Sequence, residues 1–248
     1  GWARGGETFD CSTHGCGCGF VYEYEPGEPM GMPWPTPLVQ LMATSDDQVD
    51  NTWQPMLWMI RNGPLGERVR AGEAFVRLGD NGRIDKVTSS ALSRLGNPTT
   101  GAIQDETGVY TAANGLVKVA DTMARGTTAM GGRILELTNA WDPAEVSTAR
   151  NTYESRVADV FKFFRQPPAN LSYRNKRERR RIHAHVYRGA AHIDLDSIEA
   201  IAAELLERDP GQAERFFGNK LVRGQGAWLP DGLWEAAYAQ PTLVAQPA

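Results

Sequence analysis

The chain predicts an α/β fold: a parallel sheet flanked by helices, followed by a mainly helical lobe. Three observations carry this. Short apolar runs typical of buried strands alternate with helix-period stretches as far as residue 140. Two of those runs, 99–107 and 133–140, finish in acidic or polar tips, as strands do at the loop-bearing edge of a parallel sheet. Beyond Pro167-Pro168 the patterning becomes helical. A length of 248 residues, 41% hydrophobic and 23% charged, suits one large domain or a domain with a smaller lobe. A net charge of −4 gives no global basic field, so any nucleic-acid site must be local. No apolar run reaches membrane-spanning length and no signal peptide is recognisable, which makes a cytoplasmic protein the default expectation.

Residues 1–37 form a Gly-, Pro- and Cys-rich segment. Gly1, Gly6 and Thr8 keep the spacing of a phosphate-binding loop, but Glu7 stands where that loop carries lysine. A carboxylate there would repel phosphate, so a Gly-rich coil is the competing reading. Cys11, His14, Cys16 and Cys18 could surround Zn²⁺, yet structural zinc sites usually draw on two separated ligand pairs. These are the only cysteines, and reduced thiols in a loop are the favoured reading. Prolines 26, 29, 33, 35 and 37 keep 22–37 extended.

Residues 38–166 are expected to form the core. Leu38–Ala43 reads as a buried strand, and Ser45 or Asp46 caps a helix through Trp53, Met56, Leu57 and Ile60 that Gly63-Pro64 ends. Trp53 and Met56 are read as core packing. Two β-like segments, 74–78 and 83–88, flank a Gly79–Gly82 turn. A helix is expected over Leu116–Arg125, with Leu116, Val119, Ala120 and Met123 on one face. Another is expected from Trp141-Asp142-Pro143 through Tyr153 and Val157, followed over Val160–Phe164 by a strand or an extension of that helix. In the lobe, 167–239, Asp194 opens a helix with Ile198, Ile201, Ala202 and Leu205 inward, and Asp209-Pro210-Gly211 breaks it. His183, His185 and His192 lack matching acid ligands and are read as surface residues. The tail 240–248 is expected to be disordered.

The chemistry concentrates at Gln104-Asp105-Glu106-Thr107. Two adjacent carboxylates closing a strand form the pattern of a Walker B motif, in which Asp105 helps hold Mg²⁺ and Glu106 faces the water attacking the γ-phosphate of ATP. Arg94, in the polar loop before it, could reach a nucleotide phosphate in its own subunit or a neighbour; a surface arginine is the simpler reading. Thr138 and Asn139, at the tip of the next strand, would lie near Glu106 and could sense the γ-phosphate. Arg174–Arg181 holds six basic residues and one acid, Glu178. On a helix, Arg174, Lys176, Arg177, Arg179, Arg180 and Arg181 could contact DNA phosphates, or could simply form a solvated face.

In this order the segments resemble the large terminase subunit of tailed bacteriophages. The pieces are Leu41–Gln48, Ser89-Ser90-Ala91, Gln104–Thr107, Met130–Arg133 and Leu137–Ala140, with Phe216–Lys220 and Ala227–Pro230 further on. The resemblance implies a P-loop ATPase of the additional-strand, catalytic-glutamate type, using ATP and Mg²⁺ to pump double-stranded DNA into a capsid. It implies Asp105 as the metal-binding acid, Glu106 as the catalytic glutamate and Thr138-Asn139 as the coupling motif. The Thr44–Gln48 loop would link nucleotide to moving parts. It also implies a homo-oligomeric ring, with portal protein and small terminase subunit as partners, in the host cytoplasm. The chain departs from the pattern at Glu7, and no later acid cluster able to hold two metals corresponds to the family's nuclease. A middle piece, or a truncated or decayed copy, is therefore expected. Rival readings are another P-loop ATPase such as a helicase, or a catalytically dead DNA-binding or assembly module.

Overall fold

The computed structural model describes residues 2–4, 8–14, 19–31, 34, 36–63, 65–67, 69–79, 81–87 and 97–222, with only the backbone of 2–4, 14 and 29–31. It divides into two compact units, Gly1–Thr138 with Ser147–Thr152, and Asn139–Val146 with Tyr153–Ala248. The first unit opens with short ribbons. Strands β1 (Trp2–Arg4) and β4 (Pro29–Gly31) pair antiparallel, as do β2 (Thr8–Asp10) and β3 (Val21–Glu23), with the one-turn helix α1 (Cys11–His14) following β2.

The centre is a six-stranded sheet. In chain order its strands are β5 (Leu38–Met42), β6 (Val69–Ala71), β7 (Phe75–Leu78), β8 (Gly82–Val87), β9 (Gly101–Asp105) and β10 (Arg133–Leu137). In space the order is β10-β9-β5-β8-β7-β6. The pairs β10–β9, β9–β5 and β5–β8 are parallel, while β8–β7 and β7–β6 are antiparallel. β6 is the strand that pattern alone does not reveal, because three residues cannot establish a period.

Side chains alternate along β5, so Leu41 and Met42 enter opposite layers. Leu41 joins Ala43, Val76 and the inner face of α2 (Asp46–Asn62), where Val49, Trp53, Leu57 and Ile60 are buried. Trp53 has no exposed surface. Truncation there to alanine is expected to cost about 3–5 kcal/mol. Met42 joins Ala102, Tyr110 and the Leu116, Val119, Ala120, Met123 face of α3 (Leu116–Ala129). The glycines before β10 are needed for close approach: Gly131 sits at φ +61°, and a Cβ on Gly132 would lie 2.4 Å from the Thr100 carbonyl oxygen.

The stretch after β10 differs from expectation. The helix begins at Thr148, as α4 (Thr148–Glu154), rather than at Trp141. Residues 143–145 instead form a turn, and the Thr148 N–H donating to the Tyr110 carbonyl at 3.0 Å, with Ser147 bridging Thr111, pins the chain just before the helix starts. Residues 155–166 contain no strand. Phe164 stacks on Trp141 and meets Tyr153 edge-on, whereas Phe161 and Phe163 stay 91% and 73% exposed.

In the second unit, α5 (Lys176–Val186), α6 (Leu195–Arg208) and α7 (Pro210–Phe216) pack around Leu171, Tyr173, Ile182, Ala202 and Ala213. Asn175, Asp194 and Asp209 cap the three helices. Ala202 is buried as expected, but Ile201 is exposed and Glu199 points inward in its place.

Candidate functional site

Parallel strands share an orientation, so β10, β9, β5 and β8 bring their carboxyl ends to one edge of the sheet, where open α/β folds place ligands. Asp105 ends β9 opposite Leu137 of β10. Glu106 follows in the left-handed backbone region, at φ 60° and ψ 40°, and starts a 3-10 turn over Thr107–Val109. A β-carbon makes that conformation unfavourable by about 1–3 kcal/mol, so the surroundings must enforce it. The Glu106 N–H donates to Asp105 Oδ1 at 3.1 Å, and the Val109 N–H donates to the Glu106 carbonyl at 3.0 Å. The Gly108 N–H donates to Thr138 Oγ1 at 3.0 Å, tying the turn to the tip of β10. Below it, fully buried Tyr110 donates its hydroxyl to the Met42 carbonyl at 3.1 Å, which anchors the turn to β5.

Burial raises the proton affinity of two carboxylates at this edge. Half-burial, and then the Asp105 charge, push the Glu106 carboxyl above the usual carboxylate range. Glu136, two residues before Thr138, is likewise raised by burial, partly offset by the Thr152 hydroxyl donating at 2.9 Å. The Tyr110 phenol is driven far up by burial, then by Asp105, Glu106 and Glu136. A carboxylate with raised proton affinity beside another acid is a good proton acceptor at neutral pH. Among the described residues no cluster of three or more His, Cys, Asp or Glu side chains could hold a metal by itself.

Among the described residues three buried side-chain oxygens in this unit have no hydrogen-bond partner: Thr107 Oγ1 in the turn, Gln48 Oε1 in the first turn of α2 and Thr148 Oγ1 at the start of α4. Gln48 donates its backbone N–H to the Ser45 cap at 3.2 Å, on the segment leaving β5 beside β9. Orphaned buried acceptors are uncommon and fit a site completed by a ligand.

Of the residues singled out from sequence, Asp105, Glu106 and Thr138 come together. Asn139 begins the second unit. Arg94, Gly1 and Gly6 lie outside the described residues, as do Cys16, Cys18 and the His14 side chain; Cys11 is buried. Thr8 requires correction. It lies in β2, paired with Glu23, whereas the hydroxyl residue of a phosphate loop opens a helix that presents its N–H groups to the anion.

The basic run also requires correction. Arg179 is 4% exposed and holds Glu199 with both ends of its fork, Nε to Oε2 at 3.1 Å and Nη2 to Oε1 at 2.6 Å. Its Nη1 donates to the Tyr173 carbonyl at 3.0 Å. Arg180 is paired with Asp196. Arg174, Lys176, Arg177 and Arg181 remain exposed. His183, expected at the surface, is 1% exposed, with Nε2 2.8 Å from the Tyr173 hydroxyl. A helix has one inward face, and the i, i+4 spacing of Arg179 and His183 puts both on it with Ile182.

Sequence reading missed Tyr110 and Glu136, and gave Thr107 no role of its own within the motif. Glu136 had a legible signal, as an acid inside the apolar run Ile134-Leu135-Glu136-Leu137.

A mostly parallel sheet with helices on both faces and an acidic turn at its carboxyl edge defines an open α/β architecture. Among solved structures the chain is similar to the HK97 bacteriophage large terminase, with a TM-score of 0.58 and 16% identity over 75% of this chain. It spans 40% of that protein's length. The ATPase domain of the Thermus phage P74-26 large terminase aligns at a TM-score of 0.47 and 11% identity, covering 76% of this chain and 78% of that one. No protein-family model and no curated protein matches. The chain thus has the fold of a phage large terminase over three quarters of its length.

Proposed function

We propose that this chain is the ATPase motor portion of a phage terminase large subunit, coupling Mg²⁺-dependent ATP hydrolysis to packaging of double-stranded DNA. The observation that carries the reading is Glu106, held in a left-handed turn beside Asp105 at the carboxyl edge of a terminase-type sheet. Asp105 would hold Mg²⁺ through its carboxylate, the metal supplying charge compensation for the phosphates. Glu106 orients a water molecule and takes its proton, a role its raised proton affinity favours. The Gly108–Thr138 hydrogen bond links that turn to β10, so a change at the acidic pair reaches the start of the second unit through the chain itself. In this reading the motor works in the host cytoplasm as a homo-oligomeric ring, with portal protein and small terminase subunit as partners.

A second reading has its own support. Thr8 in a strand and Glu7 in place of a lysine favour a DNA-binding or assembly module that does not hydrolyse ATP. Equilibrium binding of a fluorescent ATP analogue, with and without Mg²⁺, separates the two. The motor reading expects Mg²⁺ to tighten binding and Asp105→Asn to abolish that gain. Binding that ignores both Mg²⁺ and the substitution would overturn it.

A further inference from the structure

The antiparallel end of the sheet carries a row of arginines that the linear sequence scatters. In register, Arg70 of β6 lies opposite Arg77 of β7, and Arg77 lies opposite Arg83 of β8. Residues opposite one another share a face, so the three arginine side chains leave the same face of three adjacent strands. The other face of these strands packs Val69, Ala71, Val76, Leu78 and Ile84 onto the α2 core. Arg70 and Arg77 are exposed, and the Arg83 side chain is 35% exposed.

Like charges directly opposite one another destabilise a sheet, and little here offsets them. Arg83 Nε meets Asp85 at 2.9 Å, while Arg70 and Arg77 hold no carboxylate among the described residues. The Arg77 guanidinium lies 5.4 Å from the Phe75 ring centroid, which orients it without neutralising it. Arg77, Arg83, Phe75, Ala74 and Asp85 line a shallow depression of about 340 Å³.

We infer that this arginine row binds the phosphodiester backbone of double-stranded DNA. Strands stand about 4.8 Å apart, so the row extends over roughly 10 Å. One DNA strand presents a phosphate about every 3.4 Å of helix axis, so a row of that length is long enough to meet more than one phosphate. A regular line of planar, permanently charged forks suits a regular line of phosphates better than an irregular acidic protein surface. The choice of duplex DNA rests on the packaging-motor reading; the positive row itself does not.

The test is fluorescence anisotropy of a labelled 25-base-pair duplex titrated with the whole chain over a range of salt concentrations. Wild type is compared with Arg70→Gln/Arg77→Gln and with Arg174→Gln/Arg177→Gln on α5. The row predicts weaker binding and a salt slope smaller by about 2 for the first variant, since each lost phosphate contact removes about 0.9. Its melting temperature should not fall, which separates lost binding from lost folding. A slope unchanged in that variant would overturn the inference, as would one reduced only in the α5 variant. So would a wild type that binds poly-glutamate through the row and duplex not at all. ATP binding, read separately, then says whether the motor reading fails with it.

Discussion

Each compact unit draws a glutamate at least partly out of solvent, and the two are treated in opposite ways. In the helical unit Glu199 is gripped by both ends of the Arg179 fork, with His183 Nδ1 3.5 Å away. At the sheet edge Glu106 is half-buried beside a second acid, in a backbone conformation unfavourable for its residue type. The first arrangement satisfies a charge and joins α5 to α6. The second keeps a charge unsettled, which costs stability and is what a proton-accepting group requires. Under the proposed function, the difference separates a structural carboxylate from a reactive one.

The largest effect should come from breaking the settled pair. Arg179→Met leaves Glu199 charged and buried, a loss of about 3–5 kcal/mol. Chemical denaturation followed in the helical unit would show it; a loss under about 1 kcal/mol would mean the pair is far more hydrated than its burial implies. By contrast Arg180→Gln removes a pair whose side chains are 50% and 77% exposed, and should cost about 0–1 kcal/mol.

His183 adds a pH dependence to the same unit. Burial lowers its pKa, with Arg179 and Arg180 adding to that and Glu199 opposing it. The unfolded chain therefore takes up the proton first. Stability should be full above about pH 6.5 and decline as the pH drops below it. Melting curves at several pH values test this, and His183→Gln should flatten them; a wild type already flat between pH 7 and 5 would contradict the assignment.

At the sheet edge the expectation reverses sign. Glu106→Gly removes both the left-handed strain and the raised carboxyl, so the first unit should gain about 1 kcal/mol. A loss of similar size would show that the Glu106 side chain supports the turn instead of being strained by it.

Much of the sheet was legible because its residues follow period. Leu38–Met42, Asp46–Asn62, Gly101–Asp105 and Arg133–Leu137 each carry a local pattern or cap that agrees with their final place. The acidic pair was legible for the same reason, being adjacent in sequence. What escaped depends on contacts far apart in the chain. Arg179 and His183 looked solvent-facing because their partners, Glu199 and Tyr173, lie on other segments. The Arg70–Arg77–Arg83 row exists only after three strands set their register. Tyr110 gave no sign of its role, since its partner, the Met42 carbonyl, is on a distant strand.

The measurement that tests the account most directly is Mg²⁺-dependent ATP turnover by the purified chain beside Glu106→Gln, with nucleotide binding followed in both. Glutamine preserves shape but cannot accept the proton. A catalytic Glu106 requires turnover in wild type and its loss in Glu106→Gln, with ATP still bound. Equal turnover in the two, or hydrolysis in neither despite tight Mg²⁺-dependent binding, would contradict the assignment of Glu106 as the catalytic carboxylate.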